Sequence, residues 1–133
     1  MKVSIEEVPP SNILNYDETN FSDDPGRKKL IFKRGVKYPE RIMNATKANV
    51  SVMCSATGDG KLLPVYIVYK AEHIYSSWKD GGPPGAHIGR SKSGWFDMAN
   101  FEEYFEKIAL AWARRKEGIC VTIGDNLSSH VNP

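Results

Sequence analysis

Residues 12–20 read NILNYDETN, and this stretch decides how the rest of the chain is interpreted. Its short apolar run, Ile13 to Tyr16, is cut off by polar residues, which is typical of a buried strand. Asp17 and Glu18 follow where that strand is expected to end. A carboxylate at a strand tip has a rigid base and can face solvent, which suits a ligand for Mg²⁺. A polar strand end that begins a turn is the simpler interpretation of this stretch taken alone.

A second stretch has the same design. Residues 119–123 read ICVTI, a β-branched apolar run, and Gly124 and Asp125 follow it. If the two strands are neighbours in one sheet, Asp17 and Asp125 converge at the same edge. Two carboxylates in one place repel each other unless a cation lies between them or one is protonated.

The elements between these strands predict the fold class. Residues 49–56 and 62–69 read as strands joined by the loop TGDGK, which predicts an antiparallel hairpin. Residues 71–93 are rich in Gly and Pro and predict a long surface excursion without regular structure. Asp97 is a candidate N-cap for an amphipathic helix over 98–117. The sequence therefore predicts an α/β fold: a three-strand antiparallel meander, a crossover helix, and a last strand parallel to the first.

Composition sets only broad limits. At 133 residues the chain is long enough for one domain with a real core. The net charge of +2 favours no class of partner, and no stretch resembles a transmembrane segment, so we expect no membrane association. Cys54 and Cys120 fall inside apparent strands, which predicts small buried side chains in a reducing compartment.

Local charge is more informative than net charge. A basic cluster, opposed only by Glu40, crowds one irregular segment and consists of Arg27, Lys28, Lys29, Lys33, Arg34, Lys37 and Arg41. Beside an acidic metal site, such a cluster would hold a polyanion, and DNA is the predicted partner. The alternative is a solvated basic loop.

Four stretches together resemble the DDE superfamily endonuclease domain of pogo- and mariner-type transposases and of the related jerky and Tigger groups. They are NILNYDETNF, NVSVMCSATGDGKLLPVYIVYK, GWFDMANFEEYF and ICVTIGDNLSSH. The resemblance implies a ribonuclease H-like fold, a nuclear location, DNA as partner, and self-association as in transposases. It also implies a two-metal site for Mg²⁺ or Mn²⁺ and DNA strand cleavage and transfer, without a small-molecule cofactor.

The resemblance also assigns roles by position. Asp17 matches the first catalytic, metal-binding acid of the family, and Asp125 matches the second. Glu18, Asn126 and His130 match motif positions beside those acids, where we expect them to support the site rather than ligate metal.

One departure affects the predicted activity. The family pattern requires a third acid a few tens of residues after the second, and no Asp or Glu follows Asp125 in this sequence. The helix-turn-helix region of the family is also missing. We therefore expect residues 1–133 to be a partial endonuclease domain, with a core of about 10–130, incomplete at its C-terminus and catalytically impaired. The alternatives are a domesticated, non-catalytic DNA- or chromatin-binding module and, less well supported, a metal-dependent phosphatase.

Overall fold

The structure is a computed structural model that describes residues 4–22, 34–35 and 48–125. These ranges form a five-strand sheet with one long helical segment packed on it. The strands are β1 (Ile13–Ser22), β2 (Asn49–Thr57), β3 (Tyr66–Lys70), β4 (His87–Ser91) and β5 (Val121–Ile123). The long helix comprises α1 (Met98–Tyr104), a π-helical segment (Phe105–Leu110) and α2 (Ala111–Ala113). Short 3₁₀ turns span Ile5–Glu7, Pro10–Asn12 and Ser76–Lys79.

The sheet mixes antiparallel and parallel pairs in the order β4-β3-β2-β1-β5. β1, β2 and β3 form the antiparallel meander, and β5 lies parallel to β1 on its other side. The predicted α/β class, the hairpin and the return of the last strand to the first are therefore confirmed. β4 adds a parallel edge strand beside β3.

The long helix begins as the sequence predicts. The Asp97 side chain accepts a hydrogen bond from the Asn100 N–H at 2.9 Å, so Asp97 is the N-cap. Helical structure ends at Ala113, before the predicted end near residue 117, and a turn over 114–115 follows. Gly118 has φ +82°, a conformation that only glycine adopts without strain, and it lets the chain reverse into β5. Within the described ranges, no helix is long and apolar enough to cross a membrane.

The two faces of the sheet differ in burial. The face under the long helix carries the core, whose fully buried side chains include Leu14, Met53, Tyr66, Val68 and Tyr104. Successive residues of a strand point to opposite faces. Their neighbours in sequence therefore form a second face, called here the open face because its side chains stay half-buried or exposed. It comprises Asp17, Thr19 and Phe21 of β1, Val50, Val52 and Cys54 of β2, Ile67 and Tyr69 of β3, and Ile88 and Arg90 of β4.

Besides the helix end, several local predictions are wrong. The strand predicted over 62–69 begins only at Tyr66 and runs to Lys70. β1 does not end at Asp17 but continues to Ser22, because β2 pairs with it along that whole length. The region 71–93 is not without regular structure, since it contains β4 and a 3₁₀ turn. Cys54 is exposed rather than buried, because it lies on the open face. Cys120 is half-buried and lies just before β5.

A polar cluster joins the core to the helix. The buried Tyr66 hydroxyl donates a hydrogen bond to Glu103 Oε2 at 2.7 Å, and Lys107 forms an ion pair with Glu103 one helical turn away. Burial, with the neighbouring Glu103 carboxylate, raises the pKa of Tyr66 well above its usual range. Lys107 and then Tyr66 lower the pKa of Glu103. The ionised Glu103 is therefore favoured in the folded state.

This cluster predicts a pH dependence of stability. A carboxyl whose pKa is lower folded than unfolded stabilises the fold above its ordinary pKa, here 4.5, and loses that contribution as the pH falls. We expect Glu103→Gln to destabilise the protein at pH 7 and to destabilise it less at pH 3, as measured by urea unfolding. The exposed Glu106, replaced by Gln, is the control. An equal loss at both pH values would contradict the prediction.

Candidate metal and nucleic-acid site

The register between β1 and β5 determines how the two predicted metal-binding acids are related. The strands run parallel, and the last pair in the ladder joins Asn15 to Ile123. Two residues farther along each strand lie Asp17 and Asp125. β5 ends at Ile123, so the ladder brings the two segments together just before the acids but does not itself pair Asp17 with Asp125. Both residues are exposed, as metal-binding carboxylates at a solvent-facing site need to be.

Asp17 itself lies inside β1, not at its tip. Ladder pairing with β2 continues on both sides of it, and its direct partner across the strands is Cys54. Side chains of directly opposed residues share a face, with their Cβ atoms about 5 Å apart. Asp17 and Cys54 therefore form an exposed pair on the open face, on a rigid base of paired backbone.

Asp125 follows the end of β5, and the approach to it is shaped by Tyr16. A Cβ atom on Gly124 would lie 2.2 Å from Tyr16 Cζ, so only glycine lets the chain pass the ring this closely. The Tyr16 ring is held from the other side by Tyr104 and Phe101, at centroid distances of 5.7 and 5.9 Å. Burial, and then the negative charge of Asp125, raises the pKa of Tyr16. The negative charge of Asp125 therefore disfavours ionisation of the Tyr16 hydroxyl, whose ring packs against Tyr104 and Phe101.

Glu18 points to the other face of β1. Its Oε1 accepts a hydrogen bond from the Phe96 N–H at 3.2 Å, which ties β1 to the chain entering α1. This bond fixes the backbone of the residue after Asp17. It gives Glu18 a local structural role on the helix side, whereas Asp17 projects from the open face.

Two other acids near turns are already engaged. Asp59 accepts a hydrogen bond from Thr57 Oγ1 and pairs with Lys61 at 2.9 Å, interactions that lower its pKa. Asp97 is committed to capping α1. Over residues 4–22, 34–35 and 48–125, no group of three or more His, Cys, Asp or Glu side chains is placed to hold a metal ion. The assignment of Asp17 and Asp125 as metal ligands therefore stays a prediction from the sequence, and the described residues add no third ligand beside them.

Several predicted site residues lie outside the described ranges. Arg34 is described and is exposed. The others remain predictions: Arg27, Lys28, Lys29, Lys33, Lys37 and Arg41 of the basic cluster, and Asn126 and His130 after β5.

The structure adds two features that the sequence prediction missed. The close approach of Tyr16 to Gly124 could have been suspected, because alternation along β1 sends Tyr16 to the face opposite Asp17. The exposure of Cys54 had a weaker signal, since residues 49–56 alternate small polar and apolar side chains on both faces. The pairing of β2 with β1 is what determines which face of β2 lies under the helix.

Cys54 provides a direct probe of this site. We expect Cys54 to react with a thiol-alkylating reagent in the folded protein, and both Mn²⁺ and DNA to slow the reaction if they bind at Asp17. Peptide mass spectrometry at successive times measures the labelling of Cys54 separately from that of the half-buried Cys120, which serves as the internal control. Slow labelling of Cys54 without ligand, or rates unchanged by Mn²⁺ and DNA, would contradict the placement.

Comparisons with protein-family models, with curated proteins and with solved structures found no match.

Proposed function

We propose that this chain is a DDE-type endonuclease domain with a ribonuclease H-like fold, which binds DNA and takes part in divalent-metal-dependent strand cleavage. The observation that best supports the proposal is the parallel pairing of β1 with β5, whose last pair, Asn15 and Ile123, lies two residues before Asp17 and Asp125 on each segment. A meander followed by a helical crossover to a strand beside the first is the topology that the proposal requires. The motif resemblance across the chain supports it independently.

The chemistry of the two acids fits a hard cation. Carboxylate oxygens are the preferred ligands of Mg²⁺ and Mn²⁺, and a cation removes the repulsion between two neighbouring carboxylates. When bound, such ions lower the pKa of an attacking water or 3′-hydroxyl and stabilise the leaving oxygen. Asp17 would supply its ligand from the rigid interior of β1, and Asp125 from the end of β5. The resemblance requires a third acid after Asp125, and this sequence has none there. We therefore expect the chain alone to cleave DNA slowly.

The test measures metal binding and cleavage together. Mn²⁺ titrated into the chain in a calorimeter should bind, and supercoiled plasmid should be nicked slowly in Mn²⁺ but not in EDTA. A small phosphate ester under the same conditions should not be hydrolysed. Hydrolysis of that ester without DNA binding would favour a phosphatase instead. Absence of Mn²⁺ binding would overturn the proposed site.

A non-catalytic DNA-binding module is the second candidate. It is favoured by one observation, that the described ranges contain no third metal-binding side chain beside Asp17 and Asp125. Phosphate contacts need only positive charge, so the basic cluster would serve this function as well. Salt-sensitive DNA binding that is unchanged in Asp17→Ala, together with no nicking by the unmodified chain, would favour this candidate.

A further inference from the structure

Three aromatic side chains form a cluster next to the open face, away from Asp17. The Trp78 ring lies 4.6 Å from the Tyr69 ring, centroid to centroid, with the planes inclined by 39°. Tyr75 meets Trp78 edge-on at 5.3 Å. Tyr69 and Trp78 are half-buried, but Tyr75 is 62% exposed. These three residues are called here the aromatic platform.

Cations lie beside this platform. Arg90 is the direct β4 partner of Tyr69, so its side chain leaves the same face of the sheet next to the Tyr69 ring, and Arg90 is exposed. The exposed Lys92 directly follows β4, whereas Lys70 alternates to the face opposite Tyr69. Two exposed acids, Glu72 and Asp80, flank the region, so Arg90 and Lys92 are balanced in number. Arg90 is the charged residue that the ladder places directly beside Tyr69, and it favours an anionic group at that point.

The spacing between the platform and Asp17 follows from the ladders. Tyr69 pairs with Val50 of β2, four residues along that strand from Cys54, the partner of Asp17. Four residues span about 13 Å and two strand spacings about 10 Å, which gives a separation of roughly 16 Å. A strand stacked at about 3.4 Å per nucleotide covers this distance in about five nucleotides, and a stretched strand in fewer.

We infer that the aromatic platform stacks unpaired bases of a single-stranded DNA segment that extends from the proposed metal site at Asp17. This inference deepens the proposed function by naming the form of its substrate, and it rests on that function. Aromatic rings bind bases through their faces with little sequence preference, and a neighbouring Arg contacts the phosphate or stacks as well. A protein partner would not need the cation, and a Tyr ring beside an Arg, as Tyr69 is beside Arg90, is an arrangement that base stacking uses.

The experiment measures binding of a fluorescently labelled oligothymidylate by anisotropy in EDTA, where no cleavage occurs. We expect the unmodified chain to bind it, and Tyr75→Ala to weaken binding about tenfold, because stacking contributes about 1–3 kcal/mol per base. Tyr75→Phe keeps the ring and should bind as the unmodified chain does. Arg90→Ala should weaken binding and reduce its dependence on salt.

Trp95→Ala is the matched control, since Trp95 is a half-exposed aromatic outside the platform. It should leave oligothymidylate binding unchanged, and circular dichroism should show each variant folded, because Tyr75 is mostly exposed. Equal binding by Tyr75→Ala and the unmodified chain would overturn the platform, whatever the nicking assay shows. Binding that depends on Tyr75 in a chain that neither binds Mn²⁺ nor nicks plasmid would overturn the proposed cleavage function and keep the platform.

Discussion

Asp17→Asn and Asp125→Asn are each expected to lower Mn²⁺ affinity at least tenfold and to reduce plasmid nicking to background. Each change removes a charged ligand from the proposed site, to which the described residues contribute only these two carboxylates, and asparagine keeps the shape of the side chain. Mutating a residue that only hydrogen-bonds to a metal ligand typically lowers metal affinity or activity about 10- to 100-fold. Losing a ligand itself should lower metal affinity at least as much. Calorimetric titration with Mn²⁺ and a nicking time course measure the two effects.

The fold should survive both substitutions. Asp17 projects from the open face, Asp125 lies two residues after the last residue of β5, and both are exposed. If the two carboxylates lie as close as the proposed site requires, removing one relieves repulsion, so the melting temperature without metal should stay the same or rise. With Mn²⁺ the unmodified chain should gain stability, because the ion binds the folded state, whereas the variants should not.

Asp80→Asn is the matched control, since Asp80 is an exposed acid in the segment before β4. It should leave Mn²⁺ affinity and nicking unchanged. If Asp17→Asn and Asp125→Asn bind Mn²⁺ as tightly as Asp80→Asn does, the site assignment is wrong. If only one of them loses affinity, the two acids do not share an ion.

The elements that could be predicted from the sequence are those with strong local signals. The helix had an N-cap at Asp97 and an apolar stripe at helical spacing, and both are present in the structure. The stripe residues Phe101, Phe105, Ile108 and Trp112 pack in the core. The hairpin had apolar strands on either side of a glycine-rich loop. The pairing of β1 with β5 required a topological rule, the right-handed crossover, in addition to the two apolar runs.

The elements that were missed depend on partners far away in the chain. Residues 87–91, HIGRS, form β4 only because β3 pairs with them and because Gly89 fits under Tyr66 and Asn100. A Cβ atom on Gly89 would lie 2.2 Å from Asn100 Oδ1. Likewise, the polar residues after Asp17 stay in β1 because β2 continues beside them. Short polar strands lack a periodic pattern of apolar residues, so pairing with a neighbouring strand determines whether they form.

Tyr104→Ala is expected to cost about 3–5 kcal/mol of folding free energy, the largest effect on stability that we predict. Tyr104 is fully buried under the sheet, and its hydroxyl lies 2.7 Å from Ser55 Oγ. Ordinary domains have only about 5–15 kcal/mol in total, so the loss should lower the melting temperature by roughly 10 °C or more. Thermal and urea unfolding measure it.

Tyr104→Phe and Ser55→Ala separate the ring from its hydrogen bond. Each alone leaves one buried hydroxyl without its partner, which should cost about 1–3 kcal/mol. The double variant removes both groups and should be less destabilised than the sum of the two single changes. Additive losses would show that the hydroxyl pair contributes nothing beyond packing.

The same residue connects the core to the candidate metal site. Tyr104 supports the Tyr16 ring, and Tyr16 in turn lies against Gly124, directly before Asp125. Below its melting temperature, Tyr104→Ala should therefore bind Mn²⁺ more weakly than the unmodified chain, whereas Tyr104→Phe, which keeps the ring, should bind it equally well. Equal Mn²⁺ affinity in folded Tyr104→Ala would mean that the position of Asp125 is fixed by the β1–β5 ladder alone, without the aromatic support beneath it.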